Sequence, residues 1–493
     1  MQRAGSPAHE DDNAMSANLK RPPGPTAWDS LGYLFEWQSD RFTELLGLHQ
    51  EYGDIARLRV AGTDLYMIAN PEAIQECLVS KHKDFEKSRA YFALRLVLGN
   101  GLVTSEGDFH LRQRRMIQPA FSRDRLRGYG SAMIEFALEA RDSYRAGETF
   151  DINRSMMHTT LFIVAKALFG SDVKADVDRI GKALDTLMGM DAVFLNPFGP
   201  LIAKLPIPIN RTRKEMTATI DDVLYRMIRE HRAAGDTGDL LSLLLAARDE
   251  DDGTGMTDQQ VRDEVITLFL AGHETTANAL TWTWLLLAQH PEIEARFHEE
   301  VDSVLGSRPP GPEDFPRLTY TRQILAESMR LYPPVWSVAR AAVNDTELGG
   351  YAVPKGTQVV VSTCAVHRDA RWYPDPENFD PDRFTEAAQA SRPKFSYVPF
   401  GGGRRLCIGE GFAWMEGVLV LAAIAQYWKF RLPEGHQLKL DPHITLRPKN
   451  GLPMIAVPRE PAIGTGSEAA VETKGSGCPF ATDRSKIEVP VPH

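Results

Sequence analysis

Apolar and polar positions along the chain fall into two regimes, long stretches of helical period and a few short runs of strand character. Apolar residues three and four apart predict helices over 40–53, 131–145, 263–290 and 319–331, the third ended by Pro291 and the fourth by Pro333. β-Branched runs flanked by glycine or proline predict strands at 54–62, 64–69 and 357–364. A further apolar helix is predicted over 411–428. Together these describe a mainly α fold with a small β region, of class α+β.

The ends depart from this pattern. Residues 1–21 are polar, with acidic residues where a secretion signal needs a basic and then an apolar segment, so they read as a flexible N-terminal arm. Pro22-Pro23-Gly24-Pro25 is stiff and incompatible with helix. Residues 460–493 are rich in small and polar types, too poor in large apolar residues to offset ordering entropy, and read as a flexible C-terminal tail. Between these ends no repeat or linker appears, so 22–459 reads as a single domain.

Composition narrows the partners. Lys plus Arg number 56 against 66 Asp plus Glu, a net charge of −10, which argues against nucleic acid as a partner. Cys77, Cys364, Cys407 and Cys478 lie far apart with no Cys-x-x-Cys pair, so neither a disulfide framework nor a zinc site is indicated. The most apolar stretch is interrupted by His273, Glu274 and several threonines, so no transmembrane anchor is expected. These features point to a cytoplasmic protein.

The sharpest local feature is Phe400-Gly401-Gly402-Gly403-Arg404-Arg405-Leu406-Cys407-Ile408-Gly409, set before the predicted helix over 411–428. Consecutive glycines let backbone approach a flat object closely, and a lone cysteine beside arginine at a helix N-terminus favours the thiolate. Gly409 leaves room beside the sulfur. A buried structural cysteine and a phosphate loop are the competing readings, but the Gly-x-x-x-x-Gly-Lys-Ser/Thr and Rossmann patterns are both absent.

This run matches at every fixed position the Phe-x-x-Gly-x-Arg-x-Cys-x-Gly signature of the cytochrome P-450 superfamily, and the chain resembles a soluble, bacterial-type member. The resemblance implies a prism-like fold with heme buried between a distal helix and the cysteine loop. It implies that Cys407 is the axial ligand of the iron of heme b (iron protoporphyrin IX), with Phe400 and Gly409 in the loop and Arg405 on a propionate.

Three further motifs extend the resemblance. Glu327-Ser328-Met329-Arg330, with Arg383 downstream, is similar to the family's Glu-x-x-Arg charge network, a structural role. Ala271-Gly272-His273-Glu274-Thr275 breaks the local rules of an apolar helix and resembles the family's distal motif, which implies Glu274 and Thr275 as the catalytic acid and alcohol, with Gly272 making space for dioxygen. His110 and Arg114 share one face and, with Arg340, would donate to the propionates. By family position, Phe269, Leu270, Val335 and Trp336 would line the substrate pocket.

The function so implied is a heme-thiolate monooxygenase that activates dioxygen and hydroxylates or epoxidises a lipophilic small molecule. NAD(P)H-derived electrons would come through separate partners, a ferredoxin or flavodoxin and its reductase, because the chain ends soon after the heme loop. Arg112, Arg115 and Arg404 would oppose acidic residues of that partner. A monomer is expected. A heme-thiolate peroxygenase or isomerase needing no reductase, and a non-catalytic heme-binding sensor, are the alternatives, both disfavoured by the Glu274–Thr275 pair. The apolar 187–209 segment could pack between helices or rest on a membrane surface.

Overall fold

The computed structural model describes residues 20–26, 40–60, 62–170, 174–190, 193–194 and 199–459. The arm up to residue 19, the tail over 460–493 with Cys478, and residues 191–192 and 195–198 of the apolar segment lie outside the described residues.

Ten described helices exceed ten residues: α1 Arg41–Tyr52, α2 Gly107–Ile117, α3 Arg123–Ser143, α4 Ile152–Phe169, α5 Lys174–Met188, α6 Pro208–Ala234, α7 Asp258–Gln289, α8 Pro291–Leu305, α9 Thr319–Leu331 and α10 Glu410–Ala425. Eight strands bear on the site: β1 Ile55–Val60, β2 Thr63–Ile68, β3 Phe85–Lys87, β4 Thr149–Asp151, β5 Val338–Ala342, β6 Gln358–Val361, β7 Trp428–Arg431 and β8 Pro453–Pro458.

Helix α7 is the spine of the molecule. A capping box closes its start, with Thr257 accepting from the Gln260 amide while the Gln260 side chain accepts from Thr257. Its 32 residues end at His290, where Pro291 opens α8. It packs along α4 and also touches α9 and α10. One apolar cluster runs from Phe42 to Ala456 around it.

The main sheet has the order β1-β2-β6-β5-β3. Antiparallel pairing of β3 with β5 sets Lys87 opposite Arg340, which brings two cations from distant parts of the chain side by side. The proline-rich segment lies on this body, where the Arg57 amide donates to the Pro23 carbonyl at 2.7 Å.

Several expected boundaries shift. The 131–145 helix runs from Arg123 to Ser143, with Gly130 against Pro312, where a Cβ would come within 2.4 Å, and the 263–290 helix begins earlier, at Asp258. The helix expected to reach 428 stops at Ala425, and Trp428 instead pairs with Pro458 in the sheet of order β4-β8-β7. No helix among the described residues is long and apolar enough to cross a membrane.

Candidate functional site

The glycine-rich run is a tight loop leading into α10. The Cys407 amide donates to the Phe400 carbonyl at 3.0 Å, and the Gly401 amide to Val398 at 3.1 Å. Gly403 has a φ of +65°, and a Cβ there would lie 2.0 Å from the Leu78 carbonyl oxygen, so both conformation and space demand glycine. A Cβ at Gly409, by contrast, would sit 3.9 Å from the Cys407 Sγ, an ordinary contact.

The Cys407 thiol is open to solvent, yet protein packed around it pushes its pKa up, opposed by the Gly409 amide and the Arg114 guanidinium. An accessible residue whose thiol is nonetheless desolvated fits a hollow beside the loop. The Arg114 Nη1 donates to the adjacent Leu406 carbonyl at 2.6 Å. Cys77 and Cys364 differ: burial pushes their thiols up to about 12 and about 11, as suits inert core residues.

Helix α7 is buried along most of its length, but Ala271 is exposed and Gly272 and Thr275 are half-buried, positions that share one helical face. Helices α7 and α10 pack on each other, with the Thr276 hydroxyl beside Glu416, so this face borders the same interior as the cysteine loop. The Thr275 hydroxyl donates to the Ala271 carbonyl at 2.7 Å. Glu274 turns the other way: its Oε1 accepts from the Thr445 hydroxyl at 2.6 Å and lies 3.5 Å from an Arg447 nitrogen. At Gly272 a Cβ would meet Val164 of α4 at 3.0 Å, so packing of the two helices also favours glycine there. The His273 Nδ1–H donates to the Phe269 carbonyl, 2.9 Å away, within the core.

A cluster of cations gathers at the other rim. Arg405 pairs with Glu106 and donates to the Ser105 carbonyl at 2.8 Å, and Lys87 Nζ donates to the same carbonyl at 2.8 Å. Arg95 donates to Thr104 at 2.6 Å. Burial, then Arg405 and its cationic neighbours, lowers Lys87 to about 6, and burial with Arg405, Lys87, Arg114 and Arg340 lowers His110 to about 3. Glu106 acts on both Lys87 and Arg405, and Glu264 on Lys87. The arginines of this rim still outnumber these carboxylates, which favours a ligand of negative charge.

That imbalance has a pH signature. Unfolded Lys87 keeps its proton to its ordinary 10.5, whereas the folded residue releases it near 6. Between these values the unfolded chain binds more protons, so stability rises with pH, by at most about 1.4 kcal/mol per pH unit. In heme-free protein, Lys87→Met is expected to flatten that rise, read by urea unfolding across this range. An unchanged slope in the variant contradicts the assignment.

The expected structural network is assembled. Glu327 and Arg330 are fully buried and joined at 2.7 Å through both Nε and Nη2, while Arg383 lies 3.4 Å from the same carboxylate. Arg330 also donates to the carbonyls of His367, Pro376 and Asn378. His367, neutral because burial lowers it to about 3, accepts from the Val398 amide at 2.9 Å. The network therefore grips the strand leading into the cysteine loop.

Phe269, Leu270 and Trp336 are buried, and the Trp336 indole donates to the His443 carbonyl at 3.0 Å. Val335 alone of that set stays half-exposed. Arg112 and Arg115 are engaged by their own chain, with Asp249 at 3.3 Å and Asp251 at 2.6 Å, and Arg115 and Arg404 are both exposed.

The fold and the accessible thiol of the cysteine loop define a heme-thiolate class of protein, and comparison agrees. The family model "Cytochrome P450", written cytochrome P-450 here, matches residues 22–454. Cyclooctatin synthase of Streptomyces melanosporofaciens is 39% identical over 83% of this chain and 89% of its own length. Pentalenene oxygenase of Streptomyces avermitilis is 36% identical over 80% of this chain and 88% of its own. The crystal structure of the cytochrome P-450DA heme domain superposes with a TM-score of 0.82 at 28% identity, covering 90% of this chain and 99% of that one. The chain belongs to the cytochrome P-450 family and is a monooxygenase acting on lipophilic substrates. The residues present fit a heme: an accessible thiol in the glycine-rich loop, and a cluster of cations around Arg405 suited to holding its propionates.

Proposed function

We propose that this chain hydroxylates or epoxidises a lipophilic, terpenoid-sized molecule, and that the residues just described carry the reaction. The carrying observation is the accessible Cys407 thiol facing the same interior as the polar break in α7. Cys407 would hold the iron of heme b, while His110, Arg114, Arg340 and Arg405, joined by Lys87 and Arg95, would hold the propionates. Bound there, the heme supplies dioxygen activation by a thiolate-ligated iron. The overall change places one oxygen atom in the substrate and reduces the other to water, using two electrons and two protons.

The chain's own part is to deliver those protons while keeping bulk water out. The Thr275 hydroxyl is tethered to the Ala271 carbonyl, and its oxygen remains free to accept from a water in the hollow. Glu274 is held in place by the hydrogen bond from Thr445, and the part-exposed Arg447 beside it leads outward. Electrons would come from NAD(P)H by way of a reductase and a separate ferredoxin or flavodoxin docking near Arg404. A single domain over 22–459, monomeric and cytoplasmic, completes the reading.

Incubation with a ferredoxin, its reductase, NADPH, isotopically labelled dioxygen and a panel of sesquiterpenes and diterpenes tests this. One labelled oxygen in the product is expected, with Glu274→Gln slowing turnover by about 10²-fold or more. Product formed with peroxide alone, and none with the electron-transfer system, contradicts it.

A further inference from the structure

The arginines of α6 divide into two kinds. Arg211 holds Glu215 at 3.0 Å, Arg226 holds Asp176 at 2.7 Å and Arg232 holds Asp258 at 2.6 Å. Arg213 holds no carboxylate among the described residues, and its Nε, shut off from solvent, donates to none of them. Its guanidinium lies 6.0 Å from the Phe194 ring. Burial lowers its pKa.

The surroundings are apolar. Arg213 lines a narrow crevice with Leu96, Val97, Leu187, Met188, Phe194 and Ile444. The crevice offers about 10 Å³, room for about one water. Ile444 directly precedes Thr445, the residue bound to Glu274, so the crevice lies one residue from the polar break in α7. Nearby, Leu201 and Leu205 are 61% and 44% exposed, and the Asn210 side chain ties their segment to the start of α6. A lipophilic mouth with one unpaired cation selects for a particular kind of ligand. An apolar body fits the walls, and only an anionic group relieves a partly desolvated guanidinium.

We propose that Arg213 determines specificity by receiving the carboxylate of an amphipathic lipophilic acid, whose apolar body passes Leu187 and Ile444 toward the hollow beneath α7. The proposal rests on the monooxygenase reading above and sharpens its substrate class. A carboxylate offers two acceptors to the guanidinium fork, whereas an ester or alcohol leaves the charge unpaired.

The test uses heme-loaded protein with palmitic acid and abietic acid, each beside its methyl ester. Binding is read by the shift of heme absorption as iron-bound water is displaced, and by calorimetry. The acids are expected to bind about tenfold or more tighter than the esters, a difference of about 1.4 kcal/mol. Arg213→Gln should abolish that preference while leaving ester affinity within about twofold, and Arg213→Lys should restore part of it. Equal binding of acids and esters overturns the role of Arg213 and leaves the lipophilic-substrate reading standing. Equal weakening of both by Arg213→Gln also overturns it, since that marks a structural side chain. No shift with any of the four ligands, in protein whose heme is thiolate-bound, overturns the lipophilic-substrate reading and this proposal with it.

Discussion

Arg330→Met is expected to lower stability by about 3–5 kcal/mol, the cost of leaving a buried charge without its partner. Glu327 would then face only Arg383 at 3.4 Å and the Asp380 amide at 3.0 Å, with no solvent contact. Burial already pushes its pKa up even with Arg330 present. The variant also frees the carbonyls of His367, Pro376 and Asn378, and so slackens the chain that His367 holds at Val398. Urea unfolding should show the loss, together with a smaller fraction of protein retaining heme. The double variant Glu327→Gln/Arg330→Met should recover part of it, because both charges are then gone. A loss below about 1 kcal/mol in the single variant contradicts the network's role.

Cys407→Ala is expected to abolish turnover outright, whereas Cys364→Ala should leave the rate per folded molecule unchanged. The contrast follows from environment. Cys364 is fully buried, with a thiol pushed up to about 11 and a serine hydroxyl as its neighbour at 3.4 Å. Cys407 is accessible from the hollow, and Arg114 and the Gly409 amide both favour its ionised form. Monooxygenation measured per heme bound separates this effect from a failure to fold. Turnover by Cys407→Ala at more than a small fraction of the parent rate contradicts it.

The sequence exposed those parts of the site whose motifs are local. Phe400 to Gly409 form one loop, and Glu327 and Arg330 sit one turn apart on α9, so spacing alone revealed them. Residues brought in by tertiary pairing stayed hidden. Lys87 reaches the cation cluster through the β3–β5 register with Arg340. Thr445 and Arg447 reach Glu274 from a strand far along the chain, and His367 acts through a backbone contact. Substrate-pocket positions were not legible for a different reason. Phe269, Leu270 and Trp336 are apolar, and apolar character does not distinguish a core wall from a ligand wall. The end of the last helix was missed because Trp428 suits either state until β8 claims it.

The central claim is thiolate ligation of heme by Cys407, and the absorption spectrum of the reduced carbon monoxide complex tests it most directly. The parent protein should show the main heme band strongly red-shifted relative to histidine-ligated heme, and Cys407→Ala should lose that band. A histidine-like spectrum in the parent protein, unchanged in Cys407→Ala, would contradict the account.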